Sequence, residues 1–143
     1  MSIEHNKELV TRFVEEFWNR GNLAAADELM AADATIHMPT GESVSPAGLK
    51  VFAEAWRGAF PDWHATYEEL VAEGDTVAER WTGRGTHRGA LQGIAATGAP
   101  VVVPGAVFYR IVGAKIVEFR GQLDMLGLLR QLGALPQAVR VGV

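Results

Sequence analysis

A chain of 143 residues is long enough for one domain with a sizeable core and too short for separate cofactor and substrate domains, so one site on one fold is expected across residues 1–143. Seventeen acidic residues against thirteen basic ones give a net charge of −4, and the basic residues are scattered, which argues against nucleic acid or an anionic membrane as partner. Cysteine is absent, which excludes disulfides, thiol catalysis and cysteine-based zinc sites, and with no leader pattern in "MSIEHNKELV" and no apolar run of membrane-spanning length the chain reads as cytoplasmic.

From Glu4 to Arg20, Leu9, Val10, Phe13, Val14, Phe17 and Trp18 recur every three to four residues. This spacing predicts an amphipathic helix, with Ser2 as its N-cap and Gly21 as its stop. Asn22 can cap a second, shorter helix, "LAAADELMAA", and the β-branched "TIHMP" that follows reads as a short strand closed by proline. Ser45 then Pro46 is an N-cap followed by a helix-compatible proline, and Leu49, Phe52, Ala53, Trp56 and Phe60 line one face of a third helix.

The period then changes. "HATYEELVA", "TVAERWTGRGTH", "VVVPGAVFYRIV" and "KIVEFRGQL" are separated by turn signals at "EGD", "GIAATGAP" and "GA", the pattern of an antiparallel meander. Met125, Leu128, Leu129 and Leu132 predict a last short helix ending at Gly133, and the tail "PQAVRVGV" reads as loosely ordered. Helices first and strands afterwards predict an α+β domain, with helices on one face of a curved antiparallel sheet.

A two-residue turn at Gly113 and Ala114 would pair Val112 with Lys115. Counting along that ladder sets Tyr109 opposite Glu118, Val107 opposite Arg120, Gly105 opposite Gln122 and Val103 opposite Asp124. Arg120, Gln122 and Asp124 then share a face above the small Val103, Gly105 and Val107, a plausible pocket floor.

Asp124 has two readings. Aspartate is among the best N-caps, and a helix starts just after it. Facing a water-poor pocket, it would instead serve as general acid/base. His87 has the parity of Trp81 and would point toward the helices, either to donate to a substrate carbonyl or to fix the loop "RGALQGIAATGAP". His37, at the end of "TIHMP", is a second cavity candidate. Trp18, Trp56 and Trp81 lie on apolar faces as core or as cavity wall, and Trp63 stands near a cavity mouth. Glu79 shares the face of Trp81 in an otherwise apolar row and is a second-choice acid/base. No two histidines have i, i+2 or i, i+4 spacing, so no metal site is expected.

Several strings, "FPDWHATYEELVAEGDTVAERWTGRGTHRG", "GIAATGAPV", "FYRIVGAKIVEF" and "LDMLGLLRQLGALP", with weaker matches at "LVTRFVEEFWNRGN" and "HMP", resemble the SnoaL-like polyketide cyclases of the nuclear transport factor two-like superfamily. The resemblance implies a cone-shaped α+β barrel around a deep apolar cavity, a homodimer through the outer sheet face, and no metal or organic cofactor. It makes Asp124, at the end of the last strand, the general acid/base of an intramolecular aldol closure. The Gln and His that such aromatic cyclases carry on the neighbouring strand are replaced here by Gly105 and Val107.

These readings combine into an enzyme acting on a hydrophobic, polyketide-like carbonyl compound. Asp124 and His87 are its catalytic candidates, and Trp18, His37, Trp56, Trp63, Trp81, Val107, Arg120 and Gln122 its substrate-binding ones. The alternatives are a non-catalytic small-molecule binding protein with the same cavity, a dimerisation scaffold using the outer row Arg80, Thr82, Arg84 and Thr86, or a related isomerase, dehydratase, epoxide hydrolase or hydroxylase.

Overall fold

Ser2 starts the first helix as its spacing predicts, its hydroxyl accepting from the His5 amide at 3.1 Å. Residues 2–135 are described by the computed structural model, and the tail "PQAVRVGV" lies outside the described residues. Helix α1 (Ile3–Phe13) buries Val10 and Phe13 and then widens into a π-helical turn over Val14–Asn19. The wider turn brings the adjacent Phe17 and Trp18 inward together, with their rings edge to face at 5.0 Å.

Helix α2 (Ala25–Leu29) is half the expected length, because strand β1 (Met30–His37) takes over at Met30. Met30, Ala34 and Ile36 are buried, and pairing with the last strand outweighs the helix preference of "MAADA". A two-residue strand β2 (Ser43–Val44) follows, which the sequence did not reveal. Ser45 then caps α3 (Pro46–Ala59), accepting from the Gly48 amide at 3.3 Å.

Strands β3 (His64–Glu73), β4 (Thr76–Thr86), β5 (Pro100–Val112) and β6 (Lys115–Leu123) form the expected meander, and α4 (Met125–Gln131) closes the fold. The curved, open six-stranded sheet runs β2-β1-β6-β5-β4-β3, antiparallel throughout except that β1 lies parallel to β6. Two apolar clusters fill its inner face. One lies under α1, α2 and β1, centred on Phe13, Phe17, Ile36 and Tyr109; the other lies between the end of α3 and α4, around Trp56, Phe60, Trp63 and Leu128.

The expected β5–β6 register needs correction. The Gly113-Ala114 turn forms, with φ of 58° and 62°, and Val112 pairs with Lys115. After Ile111↔Ile116, however, the next pair is Arg110↔Glu118, which leaves Val117 as a bulge. From there Tyr109 faces Phe119, Val107 faces Gly121 and Gly105 faces Leu123. A one-residue slip exchanges the two faces of a strand. Phe119 and Gly121 therefore point inward and are buried, whereas Arg120 and Gln122 belong to the exposed outer row.

Candidate functional site

Between the helices and the inner face of the sheet lies a cavity with about 600 Å³ of space between its lining atoms, its mouth included. Trp18, Phe52, Trp56, Trp63 and Trp81 form its wall, linked edge to face or stacked at centroid distances of 5.2–6.3 Å. Arg57 of α3 fixes the position of Trp18 by donating to the carbonyls of Trp18 and Asn19, at 2.9 and 3.2 Å.

The floor comes from alternation along β4 and β5. Val77, Glu79, Trp81 and Gly83 share the inner face of β4, and Glu79 pairs with Val107 while Val77 pairs with Tyr109. Tyr109 is thus diagonal to Glu79, and its hydroxyl donates to Glu79 Oε1 at 2.9 Å. Both residues line the cavity and both are buried. Oε2 of Glu79 makes no hydrogen bond among the described residues, and no Lys, Arg or His lines the cavity.

Burial pushes the Glu79 carboxyl from the ordinary 4.5 up to about 7, while the hydrogen bond from Tyr109 opposes that rise. Burial first, and then the negative charge of Glu79, hold the Tyr109 phenol well above its ordinary value, so the phenol remains the donor. The arrangement is an acid poised near neutrality, held by one phenol and surrounded by apolar groups, which suits proton exchange with a bound ligand.

The sequence-predicted residues separate into groups. Trp18, Trp56, Trp63, Trp81, Val107 and Gln122 border the cavity, although the alternation of β6 sends the Gln122 side chain outward. Asp124, His37, His87 and Arg120 are not among the lining residues. Asp124 is exposed and caps α4, with Oδ1 accepting from the Gly127 amide at 2.8 Å. His37 lies on the outer face, within 3.2 Å of both Glu118 and Ser43, and Arg120 reaches the same Glu118 at 3.4 Å. His87 is fully buried against Phe60. Its Nδ1 accepts from the Thr97 amide at 3.2 Å, which puts the imidazole proton on Nε2 and ties down the loop after β4.

In the sequence Glu79 is only the second-choice acid after Asp124, and Tyr109 is not marked as a site residue. The available signal was an acid in an otherwise apolar alternating row, with a tyrosine of inward parity on the next strand. Gly105, one of the substituted cyclase positions, lies beneath the Trp81 ring. Among the described residues no group of three or more His, Cys, Asp or Glu converges on a metal position, and no helix is long and apolar enough to cross a membrane.

Comparison with known proteins agrees with this architecture. The chain is 32% identical to AclR, a proposed hydroxylase from Streptomyces galilaeus, over 95% of this chain and 89% of that one, with a TM-score of 0.86. It is 31% identical to IdmH, a proposed polyketide cyclase from Streptomyces antibioticus, over 90% and 98% of the two chains, with a TM-score of 0.81. A proposed polyketide cyclase from Acidithiobacillus ferrooxidans is 32% identical over 95% of this chain and 100% of that one, with a TM-score of 0.82. No functionally curated protein matches. The sequence pattern of the SnoaL-like polyketide cyclases fits residues 8–132, and the chain belongs to that family.

Proposed function

We propose that the chain is a cofactor-independent enzyme that moves protons on a hydrophobic, polyketide-like carbonyl compound inside the cavity, with Glu79 as its general acid/base. The observation that carries this reading is the Glu79 carboxyl itself, buried in an apolar wall and held at 2.9 Å by Tyr109. Ionised Glu79 takes a proton from a carbon beside a carbonyl, and the electron pair passes into an enolate. In a cyclisation that carbon attacks a second carbonyl of the same molecule, and the resulting alkoxide takes the proton back from Glu79. The aromatic wall excludes water from the enolate and keeps the chain folded for ring closure. The same proton transfer without ring closure is an isomerisation.

A second reading keeps Asp124 as the base. It is favoured by one observation: Leu123, directly before it, lines the cavity. A homodimer through the outer sheet face is supported by the exposed Val102 and Phe108 on β5, 46% and 55% accessible.

The test is deuterium incorporation next to the carbonyl of a small cyclic ketone, followed by NMR in heavy water with wild type, Glu79→Gln and Asp124→Asn. Loss of enzyme-dependent exchange in Glu79→Gln alone supports the first reading. Loss in Asp124→Asn alone refutes it in favour of the second. Ketone binding without exchange by the wild type makes the chain a binding protein.

A further inference from the structure

Away from the cavity, three adjacent strands bring a hydroxyl, an imidazole and a carboxylate into one hydrogen-bonded row. Ser43 on β2 is directly opposite His37 on β1. Glu118 on β6 is directly opposite Thr35, two residues before His37, so it lies diagonally across from the imidazole on the same outer face. Ser43 Oγ stands 3.2 Å from His37 Nδ1, and His37 Nε2 stands 3.2 Å from Glu118 Oε2. None of the three lines the cavity. We propose that they are a second catalytic site, a Ser-His-Glu triad that hydrolyses short-chain carboxylic esters at the edge of the sheet.

The proton positions follow from the acid. Slight burial pushes the Glu118 carboxyl up, but the hydrogen bond from His37 and the charge of Arg120 outweigh it and bring the group below its ordinary value. Near neutral pH it is therefore a carboxylate and can only accept. In the neutral imidazole Nε2 then carries the proton, which leaves the Nδ1 lone pair to accept from the Ser43 hydroxyl. A nucleophile bonded to a base, with the base oriented by a third group, is the arrangement that activates serine. The turn that delivers Ser43 is tied by hydrogen bonds from the Met38 amide to the Glu42 carbonyl at 2.8 Å and from the Gly41 amide to the Met38 carbonyl at 2.9 Å. Arg120, directly opposite His37, donates to Glu118 at 3.4 Å and is exposed, which sets a cation beside the charge that develops on an ester oxygen. Ser43 is exposed as well. On an open sheet edge the acyl group gains little from burial, which limits the substrates to short acyl chains on good leaving groups. The proposed dimer contact on β5 lies three places from β2 in the sheet order and leaves Ser43 accessible.

His37 Nδ1 takes the hydroxyl proton as Ser43 Oγ attacks the ester carbonyl carbon. The tetrahedral intermediate collapses with cleavage of the bond to the leaving oxygen, which receives the proton from His37 and departs as the alcohol. Water then attacks the acyl-serine with His37 again as base, the carboxylic acid is released and Oγ regains its proton. Glu118 is a positioning residue that keeps the imidazole in the required tautomer.

The test uses p-nitrophenyl acetate for turnover and diisopropyl fluorophosphate as a trap, with the labelled residue located by peptide mass spectrometry. Wild type releases p-nitrophenolate faster than buffer and carries the phosphoryl label on Ser43 alone. Ser43→Ala takes no label, and Ser43→Ala and His37→Gln each lose roughly a hundredfold of the enzyme-dependent rate, the lower end of what a positioned base contributes. Glu118→Gln lowers kcat at unchanged KM, a split that loss of a merely structural ion pair would not give. Cooperative thermal unfolding of each variant excludes misfolding as the cause. A wild type that hydrolyses no faster than buffer or leaves Ser43 unlabelled, a label on another residue, or hydrolysis that persists in Ser43→Ala or His37→Gln overturns the proposal.

Discussion

Replacing Glu79 by Gln preserves the shape of the side chain and its acceptor for Tyr109, and removes one titration. In the unfolded chain the carboxyl ionises near 4.5, and in the folded protein near about 7. Between those values the folded state holds the proton more tightly. The stability contribution of Glu79 is therefore full below 4.5, declines as pH rises, and is lost above about 7. At about 1.4 kcal/mol per pH unit, that interval corresponds to roughly 3 kcal/mol. Glu79→Gln lacks this decline, so its stability relative to wild type rises by up to about 3 kcal/mol from pH 4.5 to pH 8. Asp62, held low mainly by hydrogen bonds from Thr86, titrates in both proteins and cancels in the difference. Urea unfolding followed by circular dichroism across that pH range measures the effect. A difference between the two proteins that stays constant within about 0.5 kcal/mol refutes the buried-acid assignment.

Enzyme-dependent α-proton exchange in the wild type follows the ionised fraction of Glu79, rising about tenfold per pH unit below about 7 and levelling above it. Tyr109→Phe removes a hydrogen bond that favours the ionised acid, so the midpoint of that profile moves upward, and an unchanged midpoint counts against the pair. Asp124→Ala costs about 1 kcal/mol of stability through loss of the cap. Gly127→Ala gives no net gain in a urea titration despite its helix preference of about 1 kcal/mol, because its Cβ would run into the Asp124 carboxylate. His87→Phe leaves the Thr97 amide without its acceptor at 3.2 Å, which speeds hydrogen exchange in residues 88–99 while ketone affinity stays at the wild-type value.

The parts of the fold that could be read in the sequence are those governed by local chemistry. Ser2, Ser45 with Pro46, and Asp124 cap helices where their side chains suggest, and the four meander strands have the expected spans to within a residue or so. The misplaced parts depend on partners distant in sequence. "MAADA" has a helical composition and becomes strand only because β6 offers a ladder to it. Val14–Asn19 continues the helical spacing of α1, and apolar spacing alone cannot distinguish a π-helical turn from an α-helical one. Val117 is a β-branched residue within a β-branched run, so nothing local marks it as the residue that leaves the ladder.

That one bulge explains why the sequence ranked the two acids in the opposite order to their burial. Alternation within a strand needs no knowledge of its partner, so the inward parity of Glu79 with Trp81 is correct whatever β5 does. The facing of Asp124 depends on the whole β5–β6 ladder that starts at the Gly113-Ala114 turn, and one unpaired residue turns every later side chain to the other face. The inward row of β6 becomes Phe119 and Gly121, both apolar, and the polarity expected from Arg120 and Gln122 is transferred to the outer surface. A cavity deprived of those groups has little left to hold a charge, and this is why the one carboxyl that remains in its wall is pushed toward neutrality. The slip that moves polar groups out of the pocket is thus also what gives Glu79 an environment in which a carboxylic acid can exchange protons near neutral pH.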